Sequence, residues 1–146
     1  MFLKVLIFVI TDLWNFMEKE ELVKYWTDAS QIDYRAMENL FSSADYVWSL
    51  FLGHLVIEKL LKAVAVKNDI RNIPKIHDLN KLAVSAGIDA DDSMKDLFDI
   101  ITSFNIEARY PDYKKEFYKK CDKKFTSDYL LKIKEIRSWL LKLLKK

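Results

Sequence analysis

The sequence predicts an all-α fold, an antiparallel bundle of about five helices with a four-helix up-down core and one short helix. Glycine and proline number only 2 each in 146 residues, which leaves little material for hairpin turns or glycine-rich phosphate loops. Apolar residues make up 51% of the chain and charged residues 32%, as expected of helices with one packed and one solvated face. This composition argues against β-sandwich, Rossmann and P-loop folds.

An apolar extension, residues 1–16, precedes the helical domain, residues 17–146. Its apolar run, Val5 to Ile10, is too short to span a bilayer, and no small-residue cleavage site follows it. We therefore expect neither export nor membrane association. The extension is either an additional packing segment, helical or strand-like, or the product of an upstream start codon ahead of a domain that begins at Met17.

Two long helices are predicted first. Apolar residues recur at three- and four-residue steps from Glu18 to about Ser42, which indicates an amphipathic helix. The next helix, from about Tyr46 to Val66, is apolar nearly all round and should be the central one. Ser49 is expected opposite its core stripe.

Three further helices complete the predicted bundle. A short helix from His77 to Ala86 ends at Gly87, a favourable C′ residue. A fourth helix, from about Met94 to Ala108, ends ahead of Pro111. After a lysine-rich loop with one helical turn, a last helix runs from about Ser127 to Leu144, with its first serine as N-cap.

Charge is segregated along the chain although the net charge is only +2. Residues 1–108 carry 11 basic and 17 acidic side chains, a balance of −6, whereas residues 109–146 carry 13 and 5, a balance of +8. This asymmetry favours self-association or an anionic partner. The single cysteine, Cys121, cannot form an internal disulfide, and no Cys/His set for zinc is present, so we expect a cytoplasmic protein without metal or other cofactor.

Ionisable residues on the central helix form the first candidate site. His54 and Glu58 stand four residues apart, and Lys62 continues the same row. In a functional interpretation Glu58 is an acid or an anchor in a cleft, its pKa set by burial and by His54 or Lys62. The alternative is a satisfied buried polar cluster that fixes the register of the helices.

The end of the fourth helix is the second candidate site. Arg109 either neutralises the helix dipole or binds an anion with its planar guanidinium. Six lysines follow it: Lys114, Lys115, Lys119, Lys120, Lys123 and Lys124. Four aromatic residues lie among them: Tyr113, Phe117, Tyr118 and Phe125. The pattern is typical of nucleic-acid-binding surfaces, and also of an ordinary solvated face.

These stretches together resemble the HEPN family (higher eukaryotes and prokaryotes nucleotide-binding). The resemblance lies in the first helix around Trp26 and in the strings HLVIEKLLKA, IPKIHDLNKLA and EARYPDY. It extends from about Glu18 to Lys145 and leaves out the first 16 residues. It implies a helical bundle that commonly forms a homodimer, a nucleotide- or RNA-linked function and, in many members, a small nucleotidyltransferase partner in a toxin–antitoxin type system.

The histidine typical of the family's ribonucleases is missing. Those members carry an arginine followed four to six residues later by histidine after the fourth helix. Arg109 occupies the arginine position, but Lys114, Lys115 and Glu116 stand where the histidine would be. Metal-free RNA cleavage then lacks its obvious acid or base, and Glu58 or Lys114 could replace it only with a large pKa shift.

Two other histidine pairs are set aside. Arg71 and His77 have the family's spacing, but they flank Pro74 in a loop, where one helical face cannot present both. His77 beside Asp78 has the composition of a catalytic dyad, yet no nucleophile accompanies it. We expect this pair to cap the third helix.

The sequence therefore favours a dimeric HEPN module that binds a nucleotide or an RNA phosphate, or docks on a nucleotidyltransferase, and is not itself a nuclease. The expected binding residues are Arg109, Tyr110, Glu58, His54, Lys62, Lys114 and Lys115. Arg109 would contact the phosphate, Tyr110 would shape the site, and Glu58 with His54 would order it. Two alternatives stay open: a metal-independent ribonuclease toxin with a non-standard site, and a purely structural partner subunit.

Overall fold

Six α-helices make up the described part of the chain, residues 1–70 and 72–146, in this computed structural model. They are α1 (Phe2–Ser42), α2 (Tyr46–Lys67), α3 (Leu79–Ser85), α4 (Asp92–Arg109), α5 (Glu116–Lys120) and α6 (Lys123–Lys145). The described residues contain no strand. The predicted all-α fold is confirmed, and α5 is the helical turn expected in the lysine-rich loop.

The central helix is α2, as its sequence predicts. It packs against α1, α3, α4 and α6, and its buried residues lie on all sides of the helix. Even Ser49, expected opposite the core stripe, is fully buried and donates a 2.8 Å hydrogen bond to the carbonyl of Met37. Ser30 of α1 donates likewise to the carbonyl of Val56, at 2.9 Å. These bonds join α1 to α2 while satisfying two buried hydroxyls.

Gly53 lies where α2 packs closely against both α1 and α6. A Cβ at this position would lie 2.6 Å from Cδ1 of Ile133 on α6 and 3.3 Å from Sδ of Met37 on α1. Both neighbours are fully buried. A glycine inside a helix costs about 1 kcal/mol relative to alanine, and the close packing of α2 against α1 and α6 offsets that cost.

Aspartate side chains cap three of the helices: Asp78, Asp91 and Asp122. The expected cap at the third helix is confirmed for Asp78, although the helix begins at Leu79 and His77 stays outside it. The predicted cap at Ser127 is wrong. Asp122 accepts a 2.8 Å hydrogen bond from the backbone N–H of Phe125, so the last helix begins one turn earlier.

Residues 1–16 continue α1 towards the N-terminus and are exposed along their whole length. Large apolar side chains such as Phe8 and Trp14 remain 68% and 62% exposed. The extension is helical, as one alternative predicted, but none of its residues is buried against the rest of the described chain. No helix in the described ranges combines the length and apolarity needed to cross a bilayer. A domain start at Met17 stays a prediction.

Candidate functional site

Glu58 is the centre of a buried polar cluster on α2. Its side chain is 5% exposed, and both carboxylate oxygens are occupied. Oε1 accepts a 2.8 Å hydrogen bond from Nζ of Lys62, and Oε2 accepts a 2.9 Å bond from Nδ1 of His77. The Lys62 ammonium also lies 5.2 Å from the ring centre of Trp26 on α1. The buried charge is therefore paired, as burial of a carboxylate requires.

The pKa of Glu58 is lowered from its ordinary value. Burial alone raises this pKa, but the hydrogen bonds from Lys62 and His77 favour the charged form and outweigh it. Glu58 is thus an ionised acceptor at neutral pH. Of its two predicted roles, the geometry and charge fit the anchor, since an acid would need a pKa shifted upwards.

His54 lies one turn before Glu58 and is fully buried. Its Nε2 donates a 2.8 Å hydrogen bond to the backbone carbonyl of His77. Its Nδ1 lies 3.7 Å from Oε2 of Glu58 and has no hydrogen-bond partner in the described part of the chain. Burial lowers the pKa of His54, and the nearby charge of Arg109 acts in the same direction. His54 is a neutral group that holds the loop before α3 against α2.

His77 is the exposed member of the cluster, with 54% of its side chain open to solvent. Because the ionised Glu58 carboxylate can only accept, Nδ1 of His77 carries the proton of this hydrogen bond. In the neutral imidazole the lone pair then lies on Nε2. A carboxylate that fixes the tautomer and orientation of an imidazole is the arrangement found in general bases.

From the sequence, His77 and Asp78 are expected only to cap α3, so the sequence does not predict that His77 pairs with Glu58. Asp78 does cap the helix, through a 3.0 Å bond from the backbone N–H of Lys81. The carboxylate that pairs with His77 is instead Glu58, 19 residues earlier in the chain. A contact across such a separation depends on how the loop folds back onto α2, which the sequence pattern does not contain.

Arg109 ends α4 beside the same stretch of α2. Its Nε donates a 3.0 Å hydrogen bond to the carbonyl of Asn105, a contact with a carbonyl near the helix C-terminus that one of its two predicted roles requires. Its guanidinium carbon lies 5.8 Å from the ring centre of Phe51 and 5.5 Å from that of Tyr110. Phe51 precedes His54 by one turn of α2, so the guanidinium lies next to the polar cluster.

The sequence profile of the HEPN domain matches residues 23–144. The chain belongs to the HEPN family. The predicted resemblance is confirmed, and the match begins beyond the 16-residue extension. No curated protein and no solved structure matches the chain significantly. Membership of the HEPN family indicates a function related to nucleotides or RNA.

The basic segment of this HEPN domain differs from the predicted stacking surface. The rings of Phe117 and Phe125 lie 5.8 Å and 6.4 Å from that of Phe104 on α4, and the hydroxyl of Tyr118 donates to a carbonyl of α4 at 3.1 Å. These three residues are partly buried because they complete the packing around α4, so less of each ring is open for the stacking that the pattern predicts. Tyr113, by contrast, is 91% exposed.

The structure brings together most of the predicted binding residues. His54, Glu58 and Lys62 form the cluster on α2, and Arg109 and Tyr110 lie beside it. The exposed residues Lys114 and Lys115 form no hydrogen bond or ion pair with this cluster in the described chain. Arg71 lies outside the described residues, so the pair of Arg71 with His77 cannot be assessed in the structure.

Proposed function

We propose that this HEPN domain binds nucleotide or RNA phosphates through Arg109. The supporting observation is that Arg109 is an exposed residue whose guanidinium is fixed at Nε by the carbonyl of Asn105 and forms no ion pair with any carboxylate in the described residues. The two terminal nitrogens keep their N–H groups for a ligand. Such a fork suits two oxygens of one phosphate.

The residues around Arg109 support an anionic ligand. The chain from residue 109 onwards carries a balance of +8, and Lys114 and Lys115 follow the site on exposed backbone. Lysines of this kind attract a phosphate backbone without regard to sequence. Glu58 and His54 order the site from α2, because they fix the loop that carries His77.

A homodimer that works with a small nucleotidyltransferase in a toxin–antitoxin type system is the cellular context we propose. The family resemblance implies this context, and the separation of acidic and basic charge along the chain suits association. Light scattering on the purified protein measures the first part. Co-purification with a nucleotidyltransferase from the adjacent gene tests the second, and two monomeric, independently stable proteins would overturn it.

Fluorescence anisotropy with labelled RNA and labelled ATP, across a salt series, tests phosphate binding. Arg109→Ala should weaken RNA binding about tenfold or more, because it removes charge-assisted hydrogen bonds. Arg137→Ala is the matched control, since Arg137 is a cation on α6 that stacks on Tyr34 and bonds Gln31. The Arg137→Ala variant loses the same charge as Arg109→Ala, but its affinity for RNA should change far less.

The salt series separates Arg109 from the lysines. A plot of log affinity against log salt concentration has a negative slope. Replacing both Lys114 and Lys115 by alanine should make this slope less steep, by about 0.7 for each phosphate contact that is lost. Absence of binding to both RNA and ATP at low salt would overturn the proposed function. If Arg109→Ala and Arg137→Ala changed RNA affinity equally, Arg109 would have no specific part in phosphate binding.

Metal-independent cleavage of RNA is a second candidate function, and the dyad of Glu58 and His77 favours it. The dyad supplies an oriented imidazole although no histidine follows Arg109 in the sequence. Phe51, which underlies Arg109, and Glu58 are seven residues apart on α2, about 10 Å along the helix. Cys121 offers no protein nucleophile, because burial raises the pKa of its thiol to about 12.

The chemistry would use the RNA's own 2′-hydroxyl. Nε2 of His77 takes the 2′-hydroxyl proton while the 2′-oxygen bonds to phosphorus and the bond from phosphorus to the 5′-oxygen breaks. The imidazolium returns the proton to the departing 5′-oxygen, leaving a 2′,3′-cyclic phosphate and a 5′-hydroxyl. In this candidate function, Arg109 stabilises the negative charge that develops on the phosphate oxygens.

A cleavage assay in the presence of a metal chelator tests this candidate. The dyad requires that His77→Ala abolish cleavage and that Glu58→Gln slow it, while a 2′-deoxy substrate binds and stays intact. Intact RNA in the presence of bound wild-type protein would exclude the ribonuclease and leave the binding function in place.

A further inference from the structure

The N-terminal extension of α1 carries a broad apolar face that the described chain does not cover. Two neighbouring rows of this part of the helix consist only of large apolar side chains. The first row is Phe2, Leu6, Val9, Leu13 and Phe16, and the second row is Leu3, Ile7, Ile10, Trp14 and Met17. Each of these residues is 46% exposed or more. At about 100° per residue, the two rows together cover about half of the helix surface.

The spacing of the two rows is that of helices that pack against other helices. Each row advances by alternating steps of four and three residues, as the contact row of a coiled coil does. One such row contacts one neighbouring helix, and two rows contact two. In an up-down four-helix bundle every helix has two neighbours, and both run antiparallel to it. Four extensions therefore cover both rows of each helix, whereas a pair of extensions covers only one.

The two ends of the extension carry opposite charge. Its tip has Lys4 and the positive end of the helix dipole. At its base the two rows end in Glu20 and Glu21, which form no ion pair within the described residues. The nearby ammonium of Lys19 is engaged by Asp69 at 3.0 Å. Antiparallel neighbours bring the positive tip of one helix to the acidic base of the next, whereas parallel neighbours bring like charges together.

We propose that the extensions of four copies of this chain pack together as an antiparallel four-helix bundle. The contact lies outside residues 23–144, which the HEPN profile matches, and it goes beyond the proposed function. It is also distant from Arg109. Lys19, at the base of the extension, contacts Asp69 just past the C-terminal end of α2, whereas Arg109 lies over Phe51 near the other end of that helix. The surface around Arg109 thus stays free for a ligand or for the homodimer.

A lipid surface fits the extension less well than other copies of the chain do. Helices that lie in a membrane interface carry several lysines or arginines on their polar face, and anionic headgroups attract them. The extension has four polar residues, and their charges cancel: Lys4, Thr11, Asp12 and Asn15. Glu20 and Glu21 at its base would be repelled by anionic headgroups.

Light scattering on the full chain tests the bundle, and it should find four copies. Leu6→Glu and Ile10→Glu each place a charge in one of the apolar rows, and each should reduce the assembly to two copies or one. Thr11→Glu is the matched control, because it adds the same charge outside both rows and should keep four copies. All three side chains are exposed in the single chain, so circular dichroism of each variant should match the wild type.

Disulfide trapping tests the antiparallel order. Leu3 and Met17 lie at opposite ends of the second row, so antiparallel neighbours bring Leu3 of one copy next to Met17 of another. A mixture of Leu3→Cys and Met17→Cys proteins should form a disulfide between the two variants. Leu3→Cys alone should form none, because a disulfide needs Cα atoms within about 7 Å of each other. Cys121 should not interfere, since burial raises the pKa of its thiol to about 12.

Fewer than four copies in the full chain would overturn the bundle, as would four copies in both Leu6→Glu and Ile10→Glu. Binding of a smaller full-chain species to phosphatidylcholine vesicles, lost in Leu6→Glu, would make lipid the occupant instead. Disulfides in Leu3→Cys alone would overturn the antiparallel order. The number of copies left in Leu6→Glu and Ile10→Glu tests the homodimer separately, because two copies support it and one copy contradicts it.

Discussion

Glu58 of the central helix accepts a 2.9 Å hydrogen bond from Nδ1 of His77, in the loop that precedes α3. One side chain of the pair is 5% exposed and the other 54%. The packed core therefore fixes the orientation of an imidazole that faces solvent. Lys62, one turn after Glu58, donates a hydrogen bond to the other carboxylate oxygen. His54, one turn before Glu58, donates to the backbone carbonyl of His77 in the loop.

Removing the Glu58 carboxylate should destabilise the fold. Glu58→Ala leaves the Lys62 ammonium buried without its partner, and we expect the free energy of unfolding to fall by about 3 kcal/mol. Urea denaturation followed by circular dichroism measures it. Asp128→Asn is the control, because it breaks only the solvent-exposed pair with Lys124 and should leave the free energy of unfolding nearly unchanged. Equal losses in the two variants would contradict a paired, buried Glu58.

Stability should fall in mild acid because of His54. Its pKa is lowered from the ordinary 6.5, so below that pH the unfolded chain binds a proton that the folded chain excludes. The contribution of neutral, buried His54 to stability is fully present above pH 6.5, and it decreases as the pH falls towards the pKa of His54 in the folded protein. The lowered pKa of Glu58 adds a second loss of the same sign below its ordinary 4.5.

The free energy of unfolding checks this dependence when it is measured at intervals from about pH 7.5 to about pH 5, a range that brackets the ordinary histidine pKa. His54→Gln, which keeps an amide donor for the carbonyl of His77, should flatten the profile between pH 6.5 and 5. An unchanged slope in that variant would assign the pH dependence to other groups.

The helices follow from the sequence because their signals are local. Apolar spacing and scarce glycine predict α2, α4 and the C-terminal end of α1 closely, but not the start of α1, which lies at Phe2 and not at Glu18. The start of α6 was misplaced because the lysines after Asp122 resemble a solvated loop, whereas the Asp122 cap makes them the first turn of the helix. The lysines around Phe117 likewise give no sign in the sequence that its ring packs on Phe104.

The candidate site could be predicted only in part. His54, Glu58 and Lys62 share one helical row, so their proximity follows from spacing alone. The contact between Glu58 and His77 does not follow from spacing, because His77 reaches Glu58 only after the loop folds back onto α2. The position of Arg109 over Phe51 likewise depends on how α4 packs against α2.

Deleting residues 1–16 should leave the fold intact. Every side chain in this segment is exposed, so the deletion removes no core contact. We expect an unfolding free energy within about 0.5 kcal/mol of the full chain, and better solubility, because a large exposed apolar surface is lost. Urea denaturation and light scattering check both. An insoluble product, or the loss of a dimer that the full chain forms, would show that the domain does not begin at Met17.

The packing at Gly53 predicts a specific coupling with Ile133. An alanine Cβ would lie 2.6 Å from Cδ1 of Ile133, and overpacking of this kind costs about 1–3 kcal/mol, against about 1 kcal/mol gained in helix propensity. Gly53→Ala should therefore destabilise the protein on balance. Ile133→Val alone should cost about 1 kcal/mol, but it deletes the clashing carbon. The double variant should thus be more stable than the sum of the single losses predicts, by about 1 kcal/mol in urea denaturation. Strict additivity would mean that α2 and α6 can move apart at Gly53 without loss.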